Sequence, residues 1–148
     1  MTMGFLDIKI TRLNDEATIP RYAYQADAGL DLSSCVDMDL APFERALIPT
    51  GLAIAIPEGY AGFVMPRSGL ALREGLSMAN TPGLIDAHYR GELKVVAVNL
   101  DAKSAIHITK GERVAQLVIM PVPPINLQEV AELDETDRGK GGFGSSGV

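Results

Sequence analysis

The sequence predicts an all-β fold of the jelly-roll, sandwich or barrel type, with one short helix. Fifteen glycines and nine prolines interrupt the 148-residue chain at short intervals, which disfavours long helices. Between them lie short runs that alternate in polarity or are rich in β-branched residues. Their spacing of about 8–12 residues is typical of sheets built from many short strands.

Each predicted element is a short run bounded by turn residues or by a change of pattern. Residues 7–11 form the first candidate strand, and Leu52, Ile54 and Ile56 alternate with small residues in the next. Pro57-Glu58-Gly59 and Lys110-Gly111-Glu112 are turn signals between runs. The remaining predicted elements are strands over residues 60–65, 93–100, 105–109 and 114–122, and a helix of about two turns over residues 68–76.

The composition changes near the C-terminus. Residues 129–137 include five acidic side chains and no basic one, and five of the eleven residues 138–148 are glycine. Such a segment buries too little apolar area to fold alone. We therefore predict a β domain over residues 1–128, followed over residues 129–148 by an acidic linker and a flexible glycine-rich C-terminal arm.

Charge and cysteine content exclude several classes of function. The net charge of −6 argues against a nucleic-acid partner, because nucleic-acid binders usually present a basic face. No apolar run approaches the ~18 residues of a membrane span, and residues 1–5 lack the pattern of a secretory signal. The single cysteine, Cys35, suits a reducing cytoplasm, so we expect a cytoplasmic protein without a membrane partner.

Five segments combine glycine with charged, hydroxyl or amide side chains in ways that packing does not require. In residues 66–71, Arg67 and Ser68 stand where a strand gives way to the helix, which favours binding of an anion. The alternative is that Ser68 is only a helix cap and Arg67 a surface residue. The five segments are residues 28–33, 66–71, 80–91, 111–117 and 138–147.

The segment 80–91 has the residue types of a nucleotide site. The Asn80 amide both donates and accepts hydrogen bonds, as reading the edge of a nucleobase requires. Asp86 follows a glycine in a loop and is a candidate general base, and Tyr89 offers a flat face to a base or sugar. Alternatively, Asn80 and Asp86 satisfy their own backbone in a tight turn, and Tyr89 belongs to the core.

The other three segments leave both kinds of interpretation open. Successive glycines in the arm can direct N–H groups at phosphate oxygens, and Phe143 could stack on a base, although a flexible terminus has the same composition. Asp31 after Gly29 is also typical of a turn. Gln116 is most simply an outward residue on an alternating strand.

Taken in order, the five segments resemble the five motifs of the trimeric dUTPase family. The resemblance implies a β jelly roll, assembled as a homotrimer whose active sites draw on all three chains. It also implies hydrolysis of dUTP to dUMP and pyrophosphate with Mg²⁺, which limits uracil incorporation into DNA and supplies dUMP for thymidylate synthesis.

The resemblance also implies a role for each matching residue. Asp31 would orient waters around the metal, Asp86 would activate the attacking water, and Tyr89 would pack beneath the deoxyribose. The implied contacts with the phosphates are those of Arg67, Ser68, Gly69 and Gln116, and Lys94 would make a further contact with the substrate. Uracil would be read by Asn80, Leu84 and Ile85. In the arm, Arg138, Ser145 and Ser146 would bind the γ-phosphate, and Phe143 would cover the base.

The residues leave two alternatives to dUTP hydrolysis open. The first is a dCTP deaminase, either with deaminase activity alone or bifunctional, because that family shares this fold and assembly. Residues 84–91, however, resemble the hydrolase pattern. The second alternative is a non-catalytic β-trimer that binds a nucleotide. The presence of Asp31, Asp86 and Arg138 argues against it.

Overall fold

The computed structural model describes residues 4–147, which contain eleven strands and one helix. The helix α1 (Ser68–Glu74) follows the sixth strand. The strands are β1 (Lys9–Arg12), β2 (Leu30–Ser33), β3 (Met38–Leu40), β4 (Arg45–Pro49), β5 (Leu52–Ala55), β6 (Tyr60–Met65), β7 (Leu76–Met78), β8 (Gly83–Ile85), β9 (Lys94–Asn99), β10 (Ile106–Ile108) and β11 (Arg113–Pro121).

All strand pairings are antiparallel, and they divide the described strands among four small sheets. The largest has the order β2-β11-β6-β8, and a second has the order β4-β9-β7. Strands β1 and β5 pair with each other, as do β3 and β10. This arrangement confirms the predicted all-β, jelly-roll-like architecture with one short helix.

Alternation along the strands places the core. In β9, Val95, Ala97 and Asn99 are buried while the residues between them are partly exposed, as expected for a strand that covers a core with one face. Buried Asn99 is fully engaged: its Nδ2 donates to the carbonyls of Leu40 and Ser104, and its Oδ1 accepts from the Asp101 N–H. The core therefore carries a polar side chain without a lost hydrogen bond.

The predicted elements are confirmed within two residues at each boundary. The helix is shorter than the prediction of residues 68–76, because Gly75 adopts a left-handed conformation with φ of 74° and ends it. The glycine N–H then donates to the Ala71 carbonyl over 3.1 Å, and Leu76 begins β7. Five strands of three to five residues, β2, β3, β4, β7 and β8, were not predicted.

From Val122 to Gly147 the described chain forms no helix or strand. The one helix of the described residues, α1, has seven residues. It is too short to cross a membrane. The segment after β11 leaves apolar side chains in solvent, and they are spread over its length: Val122, Ile125, Leu127, Val130 and Leu133.

Candidate active site

Strand β11 brings three of the five segments into one cleft. Gln116 on β11 is paired with Asp31 on one side and with Met65 on the other, because β11 lies between β2 and β6. The chain leaves β6 at Met65 and enters α1 at Ser68, so the residues of the second segment stand beside the same position. The cleft has a volume of about 300 Å³, and its polar lining includes Asp31, Arg67, Ser68, Gly69 and Gln116. We call it the phosphate cleft.

Two guanidinium groups hold the carboxylate of Asp31. Its Oδ1 lies 3.1 Å from Arg67 Nε, and its Oδ2 lies 3.1 Å from Arg113 Nη1. Arg67 in turn donates from Nη1 to the backbone carbonyl of Arg113 over 3.2 Å. The Asp31 side chain is only 16% exposed, so these contacts are partly shielded from water.

Close backbone packing fixes Gln116 at the bottom of this cleft. Its Nε2 donates to the Pro66 carbonyl over 2.9 Å, so the side chain is not free in solvent as simple alternation predicts. A Cβ on Gly29 would lie 2.5 Å from Gln116 Oε1 and 3.2 Å from Gln116 Cβ, so a larger residue there would require the Gln116 side chain to shift. Ser68 is the first helical residue rather than the cap; Arg67 has the cap position and makes no capping hydrogen bond with its side chain.

The residues of the 80–91 segment border a second cleft, of about 370 Å³. We call it the base cleft; its lining comprises Leu47, Leu84, Ile85, Asp86, Tyr89, Glu92 and Lys94. The short strand β8 pairs with β6 at the edge of the sheet and delivers Asp86 at its end. The N–H of Tyr89 donates to the Asp86 carbonyl, which closes a turn over these residues.

Three contacts hold Tyr89 and its neighbours in place. The Tyr89 hydroxyl donates to the Glu92 carbonyl over 2.9 Å, and the ring is 44% exposed, so Tyr89 is not a core residue. A Cβ at Gly91 would lie within 3 Å of the Tyr89 ring, which leaves no space for a side chain there. Glu92 Oε1 accepts from the Gly51 N–H, and its Oε2 lies 3.5 Å from Lys94 Nζ.

Asn80 lies exposed in the turn between β7 and β8. Its Nδ2 would be 3.4 Å from a Cβ built on Gly83, so the amide stands directly beside the start of β8. The amide group is therefore close to Gly83, and Leu84 and Ile85, with which it was predicted to read a base, follow Gly83 in β8.

In the single chain, the described arm residues 138–147 line neither cleft. Arg138 donates from Nε to the Gly141 carbonyl, the Ser145 N–H donates to the Gly142 carbonyl, and Phe143 is fully exposed. The backbone hydrogen bonds of described residues 138–147 connect only residues between Thr136 and Gly147. The predicted site residues thus fall in three separate places: the phosphate cleft, the base cleft and the arm.

The donor set fits a hydrated cation better than a protein cage. Within residues 4–147 there is no group of three or more His, Cys, Asp or Glu side chains that could hold a metal. The phosphate cleft offers two carboxylates, those of Asp27 and Asp31, beside cationic and polar groups, and Asp27 Oδ2 accepts from the Tyr24 N–H. Mg²⁺ binds in this manner when substrate phosphates and waters supply most of its oxygen ligands.

Arg113 is the residue that the sequence prediction missed. An arginine three positions before Gln116 would lie on the opposite face of a regular strand, so alternation gave no reason to place it beside Asp31. The only signal was its position inside the 111–117 segment, directly after the turn Lys110-Gly111-Glu112.

Comparison with known proteins gives one consistent result. A family model described as dUTPase matches residues 15–147. A deoxyuridine 5'-triphosphate nucleotidohydrolase of Corynebacterium glutamicum is 54% identical over 140 residues, covering 95% of this chain and 94% of the relative. A relative of the same name from Cutibacterium acnes is 49% identical over 142 residues, covering 96% and 93%.

Solved structures show the same similarity. The dUTPase of Staphylococcus bacteriophage 80alpha with dUpNHpp matches with a TM-score of 0.89 and 34% identity, covering 96% of this chain and 99% of that one. A mutant dUTPase of the S. aureus phage phi11, described with a structural Mg(II) ion, matches with a TM-score of 0.82 and 29% identity over 88% of this chain and all of that one.

Proposed function

The chain belongs to the dUTPase family, and we propose that it hydrolyses dUTP to dUMP and pyrophosphate in a site assembled from the two clefts and the arm. The observation that carries the proposal is the set of five segments. Each supplies the residue types of its motif. Residues of four segments line or adjoin the two clefts, and the fifth segment is the exposed arm. In such a reaction, a water oxygen forms a bond to the α-phosphorus, and the bond from that phosphorus to the bridging oxygen breaks.

The phosphate cleft suits the triphosphate chain. Arg67 offers a guanidinium, Ser68 a hydroxyl and Gln116 an amide to phosphate oxygens, and charge-assisted hydrogen bonds of this kind are strong. Asp31 would hold Mg²⁺ through water; when bound, the cation neutralises phosphate charge as the leaving group departs. Asp31 and its two guanidinium partners keep the charges of this cleft in a defined arrangement.

The base cleft suits deoxyuridine. Asn80 and the backbone around Leu84 and Ile85 would satisfy the polar edge of uracil, and a cytosine edge would leave these groups unpaired. The Tyr89 ring would pack against deoxyribose and leave no room for a 2′-hydroxyl. Asp86, at the end of β8, would take a proton from the attacking water, and Lys94 would make a further contact with the substrate.

A homotrimer would bring the separated residues together. The described residues of the arm line neither cleft of their own chain, and the segment that precedes the arm leaves five large apolar side chains in solvent. Such exposure is typical of a segment that packs against another subunit. In this arrangement the domain over residues 1–128 supplies the clefts, and residues 129–148 reach a neighbouring site, where Arg138, Ser145 and Ser146 bind the γ-phosphate and Phe143 covers the base.

A deaminase of the same fold and a non-catalytic trimer are less well supported. The named relatives are nucleotidohydrolases, and Asp31, Asp86 and Arg138 are all present in this chain. A cytoplasmic location stays part of the proposal and rests on the single cysteine.

A panel of nucleotides tests reaction, base and sugar together. We expect pyrophosphate release from dUTP with Mg²⁺ and lower kcat/KM for dTTP, dCTP and UTP. The loss should be larger for dCTP than for dTTP, because unpaired polar groups discriminate more strongly than a methyl group does. Ammonia release from dCTP would establish a deaminase. Binding of dUTP without pyrophosphate release would establish a non-catalytic protein.

A further inference from the structure

A β-bulge in β11 places Arg113 in the phosphate cleft's charge network. Arg113 is opposite Ser33, whereas Ala115 is opposite Leu32, so β11 has one extra residue between these pairs. Consequently Val114 and Ala115 are both buried although they are adjacent in sequence. In a regular strand they would point to opposite faces.

The extra residue changes which side chains share a face. Arg113 and Gln116 are three positions apart, yet Arg113 reaches Asp31 and Gln116 is paired with it. Without the bulge, one of the two would point away from the cleft. The local irregularity therefore serves to place a second guanidinium beside Asp31, as bulges near active sites commonly redirect a side chain.

We propose that Arg113 is a positioning residue: its guanidinium holds Asp31 in the orientation in which that carboxylate faces the metal and the phosphate chain. Arg67 contacts Oδ1 of the same carboxylate and Arg113 contacts Oδ2, so the two fix its plane from both sides. The inference rests on the proposed function, because it assumes that Asp31 acts on the metal.

The geometry separates Arg113 from a substrate-binding role. Its side chain is 53% exposed, and it does not line the phosphate cleft itself but a neighbouring cleft that also contains Arg12, Arg21 and Asp31. Its backbone carbonyl, not its side chain, accepts the hydrogen bond from Arg67. Truncation of the Arg113 side chain should therefore disturb Asp31 and leave Arg67 in place.

Calorimetry with dUpNHpp tests the proposal without turnover. In Arg113→Ala we expect the affinity in Mg²⁺ to fall about tenfold, the usual worth of a hydrogen bond to a charged group, and the affinity in EDTA to change much less. The dUTP kcat should fall with it, and Arg113→Lys should be intermediate, since lysine keeps the charge but not the planar guanidinium. Arg12→Ala, which removes a charge from the same neighbouring cleft, is the matched control and should behave as the wild type.

A double-mutant cycle with Asp31→Asn decides whether Arg113 acts through Asp31. We expect Arg113→Ala to change neither affinity nor kcat further once Asp31 is Asn. Equal losses in both backgrounds would overturn the positioning role, as would unchanged Mg²⁺-dependent affinity in a folded Arg113→Ala, its folding checked by thermal unfolding. If Asp31→Asn itself has no effect, the proposed metal role of Asp31 fails too; if only Arg113→Ala has none, this inference alone fails.

Discussion

Replacement of Asp86 by asparagine is expected to lower kcat for dUTP at least ~10²-fold, the lower range for removal of a general base. Asparagine keeps the size of the side chain but cannot accept the proton of the attacking water. Asp86 lies exposed at the end of β8, so the fold should tolerate the change. The measurement is pyrophosphate release under saturating dUTP.

Binding should survive this substitution. The affinity for dUpNHpp, whose imido bridge resists hydrolysis, should remain largely unchanged because the proposed phosphate contacts are in the other cleft. Asp39→Asn removes an exposed carboxylate that pairs with His107 on β10 and is the control for loss of charge alone. A turnover number close to the wild type's in Asp86→Asn would remove Asp86 from the role of base.

Deletion of residues 138–148 is expected to lower turnover at least ~10²-fold. This is the usual effect of removing a preorganised hydrogen-bond donor that stabilises a charged transition state. The reason is twofold: Arg138, Ser145 and Ser146 no longer reach the γ-phosphate, and the site no longer excludes water. The assembly should persist, because the truncated chain keeps the exposed apolar residues between Val122 and Leu133 that are proposed to pack against another subunit.

Sedimentation and thermal unfolding of the truncated chain check this separation. We expect the same oligomeric state and a nearly unchanged melting temperature beside the lost activity. A variant with Lys140→Ala alone is the matched control, since it changes one arm side chain to which the proposal gives no contact. Dissociation of the truncated protein would show that the arm is a structural element, and retained turnover would show that it is not needed.

The local sequence pattern was sufficient to predict the long strands and the helix. In β6, β9 and β11, six to nine residues alternate or are β-branched, and turn residues bound two of them. Strands β7 and β8 have three residues each, too few to show a period. Their pairing with β9 and β6 supplies the stabilisation, and such long-range pairing is not visible in a short window of sequence.

The site was predictable in its residue types and not in its geometry. Asp31 and Gln116 were singled out separately, but their pairing depends on the register of β2 against β11. Arg113 was not predicted because one extra residue in β11 reverses the face that alternation assigns to it. The distribution over two clefts and a free arm follows from the tertiary path of the chain, which no motif encodes.

Mixed assemblies test the central claim, that one active site draws on several copies of this chain. An Asp86→Asn chain and a chain lacking residues 138–148 are co-expressed with different tags, and particles with both tags are purified. Each protein alone should be nearly inactive.

If the arm serves a neighbour's Asp86, mixed trimers should regain activity, because every trimer with both tags then contains about one complete site in three. The measured quantity is kcat for pyrophosphate release per active-site equivalent. Mixed particles that stay as inactive as their parents would contradict the account, because the arm and Asp86 would then have to come from the same chain.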